Sequence, residues 1–117
     1  MIRLYDSELK LMELLWQSEP ITAKELTLLA AKTIGWNKNT TYTVLKKLID
    51  KEAVQREEPN FVCSSLVNKA DVRKAETDLL IEKLYDGSHK AFFAAFLENE
   101  TLSEQELNEL KAMIEKR

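Results

Sequence analysis

The sequence predicts a mainly α fold with a small β-hairpin wing: a winged helix-turn-helix domain followed by a C-terminal helical dimerisation domain. Three observations carry this expectation. Glycine and proline are scarce, two of each in 117 residues, so helices run uninterrupted. Between Ser7 and Leu66 three helical patterns precede two short β-prone runs separated by a Pro-Asn turn. From Asn68 onward the pattern is helical again and strongly apolar for its size. The expected division is a winged helix-turn-helix domain at 1–68 and a helical dimerisation domain at 69–117.

The first helix starts near Ser7 and places Leu9, Met12, Leu15 and Trp16 on one side. Pro20 closes the linker behind it. Thr22-Ala-Lys-Glu25 is a capping box, with Ile21 and Leu26 as its hydrophobic staple, and the second helix runs to about Thr33 before Gly35 breaks it. Asn37 caps the third helix. Ala53–Arg56 and Phe61–Leu66 then flank the turn Glu57-Glu58-Pro59-Asn60, which reads as a hairpin.

The third helix, NKNTTYTVLKKLIDKE, carries two stripes. Thr41, Val44, Leu45, Leu48 and Ile49 recur at helical spacing and form a core side. Asn39, Tyr42, Thr43, Lys46 and Asp50 form a second side of amides, hydroxyls, a phenol and a lysine, where Glu and Lys alone would serve for solubility. Short amides and hydroxyls match the donor and acceptor patterns of base edges, and lysines neutralise phosphates. Asn39, Thr40, Tyr42 and Thr43 are therefore candidate base readers, and Lys38, Lys46 and Lys47 candidate phosphate holders. The bland reading of each is capping, packing or solvation. It is their convergence on one face that points to DNA.

Charge supports that placement. The net charge is −3, yet Lys32, Lys38, Lys46, Lys47 and Lys51 face a single acid, Asp50, between residues 32 and 51. Regional charge is what a phosphate feels within a screening length of about 8 Å.

In the tail, Asp71–Tyr85 forms a fourth helix with a wide apolar surface that includes Leu80 and Leu84. Ser88–Leu97 forms a fifth, which Phe92, Phe93, Phe96 and Leu97 nearly surround. Ser103 to Glu106 is a second capping box, opening a sixth helix with Leu107, Leu110, Met113 and Ile114 on one side. A helix apolar all round must be buried all round, and so short a segment cannot do this alone. Two chains pooling these helices resolve the conflict; folding back on the first domain is the alternative.

Read end to end, SELKLMELLW, PITAKEL, TTYTVLKKLIDKEAV, SSLVNKADV and LSEQELNELKAMI stand in an order and spacing that resembles the penicillinase repressor family. The likeness covers nearly all 117 residues. It implies a homodimeric winged-helix repressor on a palindromic operator, with base and backbone contacts at Lys38, Asn39, Thr40, Tyr42, Thr43, Lys46 and Lys47 and a wing phosphate contact at Arg56. It also implies dimerisation through Leu80, Leu84, Phe92, Phe93, Phe96, Leu97, Leu107, Leu110 and Ile114.

Three departures accompany the resemblance. Tyr42 stands where β-lactam-responsive members often carry arginine, and Glu57 and Glu58 occupy a wing that is often lysine-rich. Those members are released when a membrane sensor protease pathway cuts an Asn-Phe bond; the matching pair, Ala95-Phe96, keeps only the phenylalanine. No cysteine follows Cys63, so the paired Cys-x-Cys motifs of copper-responsive relatives are absent.

Enzymatic chemistry finds no constellation. Lone His89 and Cys63 make no metal site, Gly35 and Gly87 cannot build a phosphate-cradling loop, and no cofactor is implied. A single cysteine gives no intrachain disulfide, and Met1–Glu8 lacks the apolar region of a signal peptide, so a cytoplasmic location is expected. Two other readings stand beside the repressor: a winged-helix protein-interaction module, favoured by the net acidity, and a small-molecule-responsive regulator.

Overall fold

A computed structural model describes residues 3–99 and 101–117. Among them the order is α1 (Asp6–Ser18), β1 (Ile21–Thr22), α2 (Ala23–Thr33), α3 (Lys38–Asp50), β2 (Val54–Glu57), β3 (Val62–Ser65), α4 (Lys69–Tyr85), α5 (His89–Asn99) and α6 (Glu104–Glu115). The chain forms two compact units, Met1–Glu76 and Thr77–Arg117, the division falling within α4. Among the described residues no helix is long and apolar enough to cross a membrane.

In the first unit, α1, α2 and α3 enclose a core of Leu11, Met12, Leu15, Leu26, Leu45 and Leu48. The helix starts follow from local chemistry. Thr22 Oγ1 accepts from the Glu25 amide at 3.1 Å and donates to the Glu25 carboxylate at 2.8 Å. Asn37 Oδ1 accepts from the Thr40 amide at 2.8 Å. Each satisfies an amide that a helix's first turn leaves without an intrahelical partner.

The wing is larger than the hairpin that was expected. Ile21 and Thr22 pair with Cys63 and Val62, making a three-stranded antiparallel sheet in the order β1-β3-β2. Thr22 must be extended to cap α2, and that same extended backbone is what lets it join a strand.

An ionic cluster joins the start of α1 to the end of α3. Glu8 is only 2% exposed; its Oε1 accepts from the Tyr5 amide and from Lys51 Nζ, both at 2.7 Å. Lys51 also donates to the Arg3 carbonyl at 2.9 Å and lies 4.6 Å from the Tyr5 ring centre. Lys51 is thus engaged inside the fold and leaves the basic segment one lysine poorer.

The exit from the wing is fixed just as closely. The Ser65 amide and hydroxyl donate to the Glu19 carboxylate at 2.7 and 2.9 Å, and Trp16 Nε1 donates to the Val67 carbonyl at 3.0 Å. Asn68 Oδ1 accepts from the Asp71 amide at 2.8 Å, so α4 starts at Lys69 rather than at Asp71. Lys69 pairs with Glu13 at 3.0 Å, and Val72 packs on the core. These contacts draw the first turns of α4 into the first unit.

The second unit is thinly covered. Ile81 is buried, but α5 and α6 bury no residue fully among those described. Tyr85, Phe92 and Phe93 form an edge-to-face chain with successive ring centres 5.6 Å apart. The second capping box is in place, Ser103 Oγ accepting from the Glu106 amide at 3.1 Å.

Cys63 is fully buried in the middle strand, and burial pushes its thiol up to about 11 from 9.0, against a smaller downward pull from Arg56. The folded state therefore keeps the neutral thiol to higher pH than the unfolded chain does. Its contribution is intact below about pH 9 and is lost as pH rises towards 11. Urea denaturation should show parent stability falling faster than that of Cys63→Ala across this window, by up to roughly 1.4 kcal/mol for each pH step of one. Parallel profiles would contradict the assignment.

Candidate nucleic-acid interface

Helix α3 exists as a reading surface because its other side is committed. Thr41, Val44, Leu45 and Leu48 are buried, and the Thr41 hydroxyl donates to the Asn37 carbonyl at 3.2 Å instead of to solvent. At 100° per residue this leaves Asn39, Thr43, Lys46 and Asp50 on the opposite side. Lys38, Asn39, Thr40, Thr43, Lys46 and Lys47 are all exposed, and Tyr42 is half-buried. Thus the structure brings together the seven α3 residues expected from sequence. Thr40 and Lys47 share one flank; Tyr42 and Lys46 share the other, towards the wing.

The side chains differ in what they have left to offer. The Thr43 hydroxyl donates to the Asn39 carbonyl at 2.9 Å, so its methyl and remaining lone pairs face outward. The amide of Asn39, the hydroxyl of Thr40 and the ammonium groups of Lys46 and Lys47 have no hydrogen-bond partner among the described residues. Such groups can exchange water for an external partner without breaking an internal bond.

Arg56 departs from the simple expectation of a free wing cation. It stands opposite Cys63 in the β2–β3 register, which puts it on the α3-facing side of the wing, where its side chain stays half exposed. Its guanidinium lies 4.0 Å from the Phe61 ring centre and pairs with Glu58 at 3.1 Å. Glu57 is engaged by Gln55. Phe61 in turn meets Tyr42, ring centres 6.3 Å apart, and Lys38 Nζ sits 6.0 Å from the Tyr42 ring. Between α3 and the wing this leaves a groove of about 340 Å³ lined by Tyr42, Lys46, Ile49, Asp50, Arg56 and Phe61.

Phe61 and Glu58 are the residues that sequence reasoning missed as parts of this surface. The sequence carried a weak signal at most: Phe61 stands in the turn just before β3, where strand alternation does not fix the direction of its side chain.

The second unit carries the remaining expected residues. Leu80, Leu84, Phe93, Phe96, Leu97, Leu107, Leu110 and Ile114 are exposed in the single chain, and Phe92 is half-buried in the aromatic chain. A groove of about 300 Å³, lined by Phe93, Phe96, Leu97, Leu110, Met113, Ile114 and Arg117, runs between α5 and α6. Ala95 and Phe96 lie mid-helix in α5, where the Ala95 carbonyl also accepts from the Asn99 side chain at 2.8 Å.

Comparison with known proteins decides what this combination is. The family described as Penicillinase repressor matches residues 4–116. The chain belongs to the penicillinase repressor family. It is 30% identical over 112 residues to the penicillinase repressor of Bacillus licheniformis, covering 94% of this chain and 88% of that one. It is 26% identical over 113 residues to the methicillin resistance regulatory protein MecI of Staphylococcus aureus strain N315, covering 95% and 92%. Among solved structures, the DNA-binding domain of the repressor BlaI matches with a TM-score of 0.55 and 28% identity, over 59% of this chain and 87% of that one. The monomeric form of Bacillus licheniformis BlaI, solved in complex with the blaP half-operator, matches with a TM-score of 0.52 and 29% identity, over 60% and 88%. The winged-helix fold of the first unit follows, and the family is one of transcriptional repressors, not of enzymes.

The geometry of α3 starts at its cap. Asn37→Ala removes the acceptor for the Thr40 amide and should cost about 1 kcal/mol of stability by urea denaturation. Hydrogen exchange at Thr40 should accelerate selectively. Unchanged exchange at Thr40 would show that the cap does not hold the first turn.

Proposed function

We propose that this chain is a homodimeric transcriptional repressor that binds a palindromic operator by laying α3 in the major groove. The observation that carries this reading is the uncommitted face of α3, directly opposite a buried stripe that fixes its orientation. Asn39, Thr40, Tyr42 and Thr43 present short polar groups and a methyl to base edges; Lys38, Lys46 and Lys47 hold phosphates. Arg56 joins them where a phosphate oxygen takes the place that Glu58 fills in the free chain. The BlaI half-operator complex supports DNA as the partner.

Pairing follows from the second unit. Its exposed apolar side chains and the α5–α6 groove support a candidate interface that a second copy can cover with the same residues around a two-fold axis. Two α3 helices so related suit half-sites about 34 Å apart. A membrane sensor protease pathway acting at Ala95-Phe96 would first have to unwind α5. Because Phe96 lines the groove, a cut there would release the operator by undoing the pairing surface.

The proposed function is tested by selecting bound duplexes from a random library. The parent should recover an inverted repeat. Tyr42→Ala should relax one position in each half-site, whereas Lys47→Ala should weaken all sequences alike and lower the log–log salt slope by about 1. Phe96→Asp should bind single half-sites only. A parent that retains no duplex, or variants indistinguishable from it, would refute the reading.

A further inference from the structure

Phe61 occupies a position that an aromatic residue has no local reason to hold. Its φ is 53° and that of Asn60 is 73°, both in the left-handed region where bulky side chains are costly and glycine or asparagine is cheap. Its ring is half-buried at the rim, outside the fully buried core. Strain of this kind persists only where surrounding contacts over-determine it, and it marks positions with a further role.

The contacts say what that role is. The Phe61 carbonyl accepts from the Ala23 amide at 2.9 Å, which pins the backbone to the start of α2. From that anchor the ring meets both Tyr42 of α3, at 6.3 Å between ring centres, and the Arg56 guanidinium of the wing, 4.0 Å from its centre. Tyr42 and Arg56 belong to different elements and each has several accessible rotamers. Phe61 gives both a common surface to lie on.

We infer that Phe61 is a positioning residue of the DNA interface: it holds Tyr42 and Arg56 in fixed relation, so that reading a base and holding the neighbouring phosphate occur as one event. This rests on the operator-binding reading above. Phe61 itself touches neither base nor phosphate. Its ring gives the phenol and the guanidinium a shared surface, and the Arg56 N–H groups now donating to Glu58 become available to an anion once Glu58 is displaced.

The test is a double-mutant cycle on operator affinity. Tyr42→Ala and Arg56→Gln are measured singly and together, first in the parent and then in a Phe61→Leu background. In the parent the two losses should be coupled, the double variant losing less than the product of the single losses. With Phe61→Leu they should multiply independently. Phe61→Leu alone should weaken operator binding about 3- to 10-fold, as expected when an aromatic pair and a cation–π interaction are removed. It should also lower the salt slope by about 1, as when one phosphate is no longer neutralised. Phe61→Tyr should restore both affinity and slope.

A merely structural role would lower the melting temperature without changing the slope or the coupling. Independent losses in the parent, an unchanged salt slope in Phe61→Leu, or no recovery in Phe61→Tyr would each overturn the inference. If the parent itself binds no duplex, the operator-binding reading fails instead, so the two failures are told apart.

Discussion

Burial of one stripe of α3 is the constraint on which the functional surface depends. Thr41, Val44, Leu45 and Leu48 are all inserted against the core. Each fully buried Val or Leu is worth roughly 1.5–3 kcal/mol, so turning the helix by even one residue would forfeit several kcal/mol. The orientation of Asn39, Thr43 and Lys46 is therefore dictated by apolar packing on the far side. Among the described residues the side chains of Asn39, Thr40, Lys46 and Lys47 on the polar face have no internal hydrogen-bond partner, so they are free to serve an external one.

The same division governs the charges. Of the lysines in the basic segment, Lys51 is bound by Glu8 and the Arg3 carbonyl, which ties the end of α3 to the start of α1. Glu8 is buried while Lys51 stays partly exposed, so loss of Lys51 would leave a buried carboxylate without its cation. Lys38, Lys46 and Lys47 stay exposed. The wing inverts the pattern, for its one cation is folded onto Phe61 and matched by Glu58. An acidic chain can thus present a basic helix: Asp50 is the one acid in α3, beside Lys38, Lys46 and Lys47.

What was legible in the sequence was local. The caps at Thr22, Asn37 and Ser103 involve partners three residues away, and all are realised. The α3 stripe is a property of one helix, and it too is realised. What was hidden depended on distant pairs. Strand β1 forms only because Ile21 and Thr22 meet Cys63 and Val62 across the fold. The early start of α4 reflects Asn68 capping together with Lys69 reaching Glu13. Arg56 was legible as a basic wing residue, but its place on the α3-facing side is set by the register with Cys63. In the sequence Phe61 looks like an ordinary strand residue; its contacts with Tyr42 and Arg56 exist only in the fold.

The second unit shows the complementary physics. Its helices are well capped yet leave Phe93, Leu97, Met113 and Ile114 half or more exposed in a single chain, a surface that water tolerates poorly and a second copy would cover. Orientation of α3 and pairing of the tails can be tested together by affinity cleavage. A DNA-cutting reagent attached through Thr43→Cys would leave Cys63, fully buried in the sheet, unlabelled. Two paired recognition helices predict two clusters of cuts on an operator duplex, centred in the major groove and about 10 base pairs apart. A single cluster, or cuts spread evenly along the duplex, would contradict them.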